Sequence, residues 1–322
     1  MTHRASGSTS RASCHARSSS PGSSLPAPRG RSLFAARRLF APPPGLPFPH
    51  RGGTRSYHLH VPESVRPDVA HPLVLVLHGG GGNGFGMSRL SRFNRVADEH
   101  GFIVVYPDGV DAFWADGRGV TDADDQGVDD VGFLLALLDA LAARHRVDPA
   151  RVFAAGISNG GFMAQRLACD HADRIAAIAS VGASLPAALA DRCRPARPVP
   201  ALFVHGTEDT FIPYAGGLVT GRSGRSAVLL SAPDSVRRWA QCSGAATPIG
   251  PTDMPNTSDD PTRLVRTGFT GAADVELVTV EGGGHTWPGG IQYAPVRMIG
   301  LTSRAVDASA LIGAFFASHP RA

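Results

Sequence analysis

Lysine is absent from this chain of 322 residues, and all 31 basic side chains are arginine. Together with the abundance of Ala, Gly and Pro, this reads as codon composition and carries no functional signal. Acids are missing from residues 1–53, which hold eight arginines; since the whole chain is +4, the remainder carries −4. The basic character therefore belongs to the tail, and the charge balance gives no reason to expect a basic nucleic-acid-binding face on the folded body. No apolar run is long enough to span a membrane. Cysteine is scarce, with four in all, and none has metal-ligand spacing. Cys14 lies in the tail; Cys169, Cys193 and Cys242 lie in the body. Cys193–Cys242 is the preferred pair, with three reduced buried thiols as the alternative.

Residues 1–53 are rich in Ser, Pro, Arg and Gly and cannot bury enough surface to offset their ordering entropy, so they read as a disordered tail. The apolar stretches Leu33–Ala36 and Leu39–Ala41 are broken by Arg37-Arg38 and by prolines, which leaves no recognisable secretory signal. The acid-free, Arg- and Ser-rich character resembles an organelle transit peptide; a native linker or a start codon assigned too far upstream is preferred.

From Thr54 to the end, apolar runs alternate with helical spacing. Strands are expected at Arg55–Val61, Pro72–Leu77, Phe102–Tyr106, Arg151–Ala155, Ile175–Ala179, Pro200–Gly206 and Val275–Val280. Helices are expected over 87–100, Val131–Leu141, Gly161–Ala168, Ala232–Gln241 and Ala305–Ser318. That alternation predicts an α/β fold, with a mostly parallel central sheet and helices on both faces, in one domain over 54–322.

The most informative stretch is Gly156-Ile157-Ser158-Asn159-Gly160, set between a strand and a helix. In that context Gly-x-Ser-x-Gly is a nucleophile elbow, which lifts the serine hydroxyl to the mouth of the sheet above a helix N-terminus. Ser158 is the expected nucleophile. Asn159 and either Gly80 or Gly81, from the glycine run at 79–82, are the expected backbone donors of an oxyanion hole. Asp209, with Glu208 as the fallback, follows a strand where a triad acid belongs, although such acids also cap turns. His285 follows the last strand among glycines. The chain order Ser158, Asp209, His285 suits acyl transfer through a covalent intermediate. Trp114 and Trp287 are expected either to wall a substrate pocket or to pack beneath loops. Asp129 and Asp130 are read as helix-capping acids and His78 as a loop-shaping residue.

The segments Leu-His-Gly-Gly-Gly-Gly-Asn (77–83), Tyr-Pro-Asp-Gly (106–109), Trp-Ala-Asp-Gly-Arg (114–118), Val-Asp-Asp-Val-Gly-Phe (128–133), Gly-Ile-Ser-Asn-Gly-Gly (156–161), His-Gly-Thr-Glu-Asp (205–209), Pro-Tyr (213–214) and Gly-Gly-His-Thr-Trp-Pro-Gly (283–289) resemble the poly(3-hydroxybutyrate) depolymerase and feruloyl esterase group of α/β-hydrolases. The resemblance implies the α/β-hydrolase fold and a cofactor-free, metal-free serine esterase acting on polyhydroxybutyrate-type polyester or oligomer. Feruloyl or acetylxylan-type esters are the alternative, and a binding protein or acyltransferase on the same fold the second alternative. The implied partner is the ester substrate, with neither nucleic acid nor membrane. Family resemblance also implies a secreted or periplasmic protein. The sequence departs from the group at Ala115, where Asn is frequent.

Overall fold

The computed structural model describes residues 43–221, 223–256 and 258–321. The expected disorder of the tail falls mainly on residues 1–42, outside the described residues.

The described residues form twelve strands: β1 Leu46–His50, β2 Gly53–His60, β3 His71–Leu77, β4 Ile103–Pro107, β5 Val147–Ile157, β6 Ala177–Val181, β7 Ala201–Gly206, β8 Gly217–Thr220, β9 Ser226–Leu229, β10 Ala245–Asp253, β11 Arg263–Gly271 and β12 Val275–Glu281. Ten form one sheet in the order β1-β2-β4-β3-β5-β6-β7-β12-β11-β10, and β8 and β9 form a separate hairpin. From β4 through β12 the neighbours are parallel, while β1, β2, β10 and β11 add antiparallel margins.

Alternation along β3 divides the core in two. Leu73, Leu75 and Leu77 face one layer with Phe133, Leu137, Leu167 and Trp239, whereas Val74 and Val76 face the other with Phe93, Val96, Ile312 and Phe316. Helices Asp130–His145, Asn159–Asp170 and Ala232–Cys242 therefore cover the first face, and Phe93–His100 and Ala308–Ser318 the second. Both faces of the central strands are buried, which is why they read as continuous apolar runs rather than alternating ones.

Four sequence expectations shift. The folded body begins at least as early as β1, upstream of the boundary drawn at residue 54, because Leu46–His50 pairs with β2 as a hairpin. Pro47 and Pro49 hide that strand in the sequence, yet both are tolerated on a sheet margin, where only one side of the strand must donate. The helix expected over 87–100 is two helices, Gly84–Ser91 and Phe93–His100, broken at Arg92, whose φ is +52°. The last helix starts at Ala308 rather than Ala305, where Asp307 accepts from the N–H groups of Ser309 and Ala310. Cys193 is joined to Cys169, and Cys242 is free. The bond ties the last turn of the Asn159–Asp170 helix to the end of the short Ala187–Arg192 helix, 24 residues apart in sequence. Sequence spacing alone cannot select among such pairings.

Candidate active site

The elbow is built by backbone geometry. β5 ends at Ile157, and a helix begins at Asn159. Ser158 between them is held at φ 54°, ψ −122°, a region that disfavours residues with a Cβ. Its N–H donates to Val181 O at 2.9 Å, and its carbonyl accepts from Phe162 N–H at 3.0 Å. The turn is thus fixed to β6 on one side and to its own helix on the other.

Asp209 and His285 come from loops after β7 and β12, which are parallel neighbours. Both side chains are buried. His285 Nδ1 lies 2.7 Å from Asp209 Oδ2. The other carboxylate oxygen, Oδ1, accepts N–H bonds from Phe211 at 2.9 Å and Ile212 at 2.7 Å. The acid is therefore anchored by backbone before it meets the imidazole. Glu208, the fallback, is not the residue on His285. Gly182 passes so close that a Cβ there would sit 3.2 Å from His285 Nδ1, and its φ of +56° also favours glycine. Ser158, Asn159 and His285 line one cavity of about 650 Å³, together with the glycine run 79–82.

That run does not offer every N–H. Gly81, expected as an alternative oxyanion donor, gives its N–H to Ala112 O at 2.9 Å, and Gly82 gives its own to Gly79 O. Gly80 is the member of the expected pair whose N–H is not committed in this way. His78 shapes the loop: its Nδ1 lies 2.8 Å from Gly79 O, and its Nε2 accepts from Gly109 N–H at 2.9 Å.

Neither tryptophan walls the cavity. Trp114 is fully buried, donating Nε1–H to His78 O at 2.9 Å; Trp287 is fully buried, donating to Ser309 Oγ at 3.0 Å. Indole is large enough to fill a core and needs a partner for its one donor, and both find these beneath the loops. The aromatic lining is Phe113, Phe211 and Tyr293. Phe211 is 52% exposed, and its ring centroid lies 5.2 Å from that of His285. Tyr293 donates its hydroxyl to His285 O at 2.7 Å, which fixes the backbone of the histidine, and burial pushes its phenol up to about 12. These three sit in irregular loops, where no periodicity marks them.

Asn159 has a side-chain role that sequence reading missed. Its Oδ1 accepts from Trp114 N–H, and its Nδ2 donates to Trp114 O and to Asp116 Oδ2. The residue after Ser158 thus fastens the 114–118 loop to the elbow. Asp130 is more than a first-turn acid. Asp129 caps the helix by accepting from Gly132 N–H, whereas the buried Asp130 takes Arg55 Nη2 on one oxygen and Ala115 N–H on the other. Ala115 is itself buried and stands apart from the cavity lining.

His205, buried under the acid loop, donates Nε2–H to Ile212 O at 2.8 Å. Burial holds both His205 and His78 below the usual imidazole range; nearby Asp209 and Asp108 respectively pull the other way. A histidine kept neutral when folded but free to protonate when unfolded contributes stability above its unfolded pKa of about 6.5, and that contribution is lost as pH falls. Urea titrations are therefore expected to show lower stability at pH 5.5 than at pH 7.0. Buried Asp130 and half-buried Glu276, whose carboxyls are raised chiefly by desolvation, act in the opposite sense at lower pH. Unchanged stability between the two values would mean that the buried rings protonate without unfolding.

A sequence model of the family described as Esterase PHB depolymerase matches residues 55–190. The chain is 36% identical to a putative esterase, NocK, of Nocardia uniformis over 80% of this chain and 77% of that protein. It is 32% identical to feruloyl esterase B of Piromyces equi over 70% of this chain, a match spanning 41% of that protein's length. Among solved structures, the acetyl xylan esterase of Aspergillus awamori superposes with a TM-score of 0.52 at 17% identity, covering 72% of this chain and 89% of the other, which supports the fold alone. The chain therefore belongs to the PHB-depolymerase and feruloyl esterase group, as a carboxylic ester hydrolase on the α/β-hydrolase fold.

Proposed function

We propose that this protein is a serine esterase that cleaves polyhydroxybutyrate-type polyester or its oligomers through Ser158, His285 and Asp209. The observation that carries this reading is the buried Asp209–His285 pair opening onto the cavity that also holds Ser158 on its strained turn. His285 Nε2 takes the Ser158 proton as Oγ attacks the ester carbonyl carbon. Asp209 holds Nδ1–H and stabilises the imidazolium. The N–H groups of Asn159, in the first helical turn, and Gly80 receive the oxyanion. Collapse of the tetrahedral intermediate expels the alcohol, which is protonated by His285. Water then attacks the acyl-enzyme by the same route in reverse.

The family match favours the polyester, and the relative named as a feruloyl esterase favours the aromatic alternative. Site of action is assigned outside the cytoplasm, supported by the Cys169–Cys193 disulfide, since such bonds persist in oxidising compartments. Among the described residues no helix is long and apolar enough to cross a membrane.

The test is hydrolysis of 3-hydroxybutyrate trimer and methyl ferulate, run beside covalent labelling by a fluorophosphonate. Labelling at Ser158 with a kcat/KM on the trimer at least tenfold above that on ferulate is expected. The reverse preference selects the feruloyl reading. Labelling without hydrolysis of either ester selects an acyltransferase, and folded protein that neither labels nor hydrolyses ends the esterase reading.

A further inference from the structure

The cavity has two chemically different walls. Leu90, Tyr293 and Met298 form an apolar one; Arg118, Thr121 and Asp122 form a polar one, which abuts the β8–β9 hairpin. Contact between the polar wall and the hairpin is tight, because Ser223 Oγ donates to Val120 O and Gly221 is packed against the same carbonyl.

Arg118 is an unusual lining residue. Its side chain is only 7% exposed and its guanidinium carbon sits 3.8 Å from the Phe162 ring centroid. Nε donates to both oxygens of Asp116 and Nη2 donates to Oδ2 at 2.7 Å. Asp116 is in turn held by Asn159 Nδ2 at 2.6 Å. The guanidinium is therefore locked by its place over the Phe162 ring and by a two-nitrogen fork, and is linked to Ser158 through Asp116 and Asn159. Among the described residues its remaining nitrogen, Nη1, has no acceptor, and the residue lines the cavity. A rigid, largely buried charged donor with free N–H groups on a cavity wall is an arrangement that recognises an oxygen atom.

The chemistry of that oxygen follows from the charges. Asp116 already compensates Arg118, and Asp122 adds a carboxylate to the same wall. A substrate carboxylate would face both, so the fitting acceptor is neutral.

We propose that Arg118 is a specificity-determining residue, whose Nη1 hydrogen-bonds a neutral carbonyl, ether or hydroxyl oxygen of the ester substrate beyond its scissile group. It thereby favours oxygenated esters over alkyl esters of the same shape. The inference rests on the esterase reading above and names the substrate class that this site selects.

Two near-isosteric pairs test it: methyl 3-hydroxybutyrate against methyl 3-methylbutanoate, and 2-methoxyethyl butyrate against butyl butyrate. The first places the extra oxygen on the acyl side, the second on the alcohol side. In Arg118→Met, the ratio of kcat/KM for the oxygenated over the alkyl ester is expected to fall roughly 10- to 100-fold in at least one pair, as for loss of one hydrogen bond to a charged group. The fall should appear mainly in KM of the oxygenated ester. Arg118→Lys keeps a cation opposite Asp116 but spends its ammonium there; the same ratio should fall, and this variant carries the test should the first not fold. Ratios within threefold of wild type in both pairs would overturn the proposal. Equal losses on both members of a pair would mean that Arg118 only supports Asp116 and the elbow. Folded wild type inert on all four esters would remove the esterase reading, and the proposal with it.

Discussion

Ser158→Ala is expected to lower kcat for ester hydrolysis by about five to six orders of magnitude while leaving urea stability within about 0.5 kcal/mol of wild type. The residual rate should still exceed the uncatalysed one, because the proposed oxyanion donors are untouched by the substitution. Ser158→Gly should be equally inactive but more stable. The backbone at φ 54°, ψ −122° costs a residue with a Cβ roughly 1–3 kcal/mol, and glycine relieves it. Against this stands the extra chain entropy that glycine loses on folding, about 0.5–1 kcal/mol, so a net gain near 1 kcal/mol is expected. Paired kinetics and urea titrations of the two variants check both statements. If Ser158→Gly were the less stable variant, the elbow would not be strained; if Ser158→Ala kept its rate, the nucleophile would lie elsewhere.

The largest stability effect is expected at Gly160. A Cβ there would lie 2.3 Å from Leu77 O and 2.6 Å from His78 O, which are backbone atoms at the end of β3 and cannot swing aside. Gly160→Ala must push the helix off the strand that carries the glycine run, and a loss of more than about 3 kcal/mol is expected. Gly81→Ala is the contrast. No atom lies within 4 Å of its Cβ position and only its φ of +79° is unfavourable, so about 1–2 kcal/mol is expected. Denaturation of the two variants side by side decides the matter: equal costs would mean that close helix packing at the elbow is dispensable.

The parts of the site that the sequence displayed are those governed by backbone demands. Gly156 and Gly160 flank Ser158 because neither position has room for a Cβ, and the parallel strands show as unbroken apolar runs because both their faces are covered. Chain order then led from Ser158 to Asp209 and His285. What remained hidden depends on side chains meeting across loops. The contacts of Asn159 with Trp114 and Asp116, of Tyr293 with the His285 carbonyl, and the choice of Phe113 and Phe211 over the tryptophans as lining leave no periodic trace. β10 and β11 were also missed, since Pro248, Gly250 and Pro251 make β10 read as a loop, and bulges accompany them in its pairing with β11.

The two outermost strands share a property that bears on the protein at high concentration. β1 carries Pro47 and Pro49, and β10 carries Pro248 and Pro251. In β1 the residues that donate toward β2 must be Leu46, Phe48 and His50, so the two prolines occupy the positions that would otherwise turn their N–H groups outward. A second chain arriving at either flank meets a ladder with missing rungs. Growth of the sheet from molecule to molecule, the route to domain-swapped ribbons and fibrils, is blocked at both ends by residues that take no part in the chemistry.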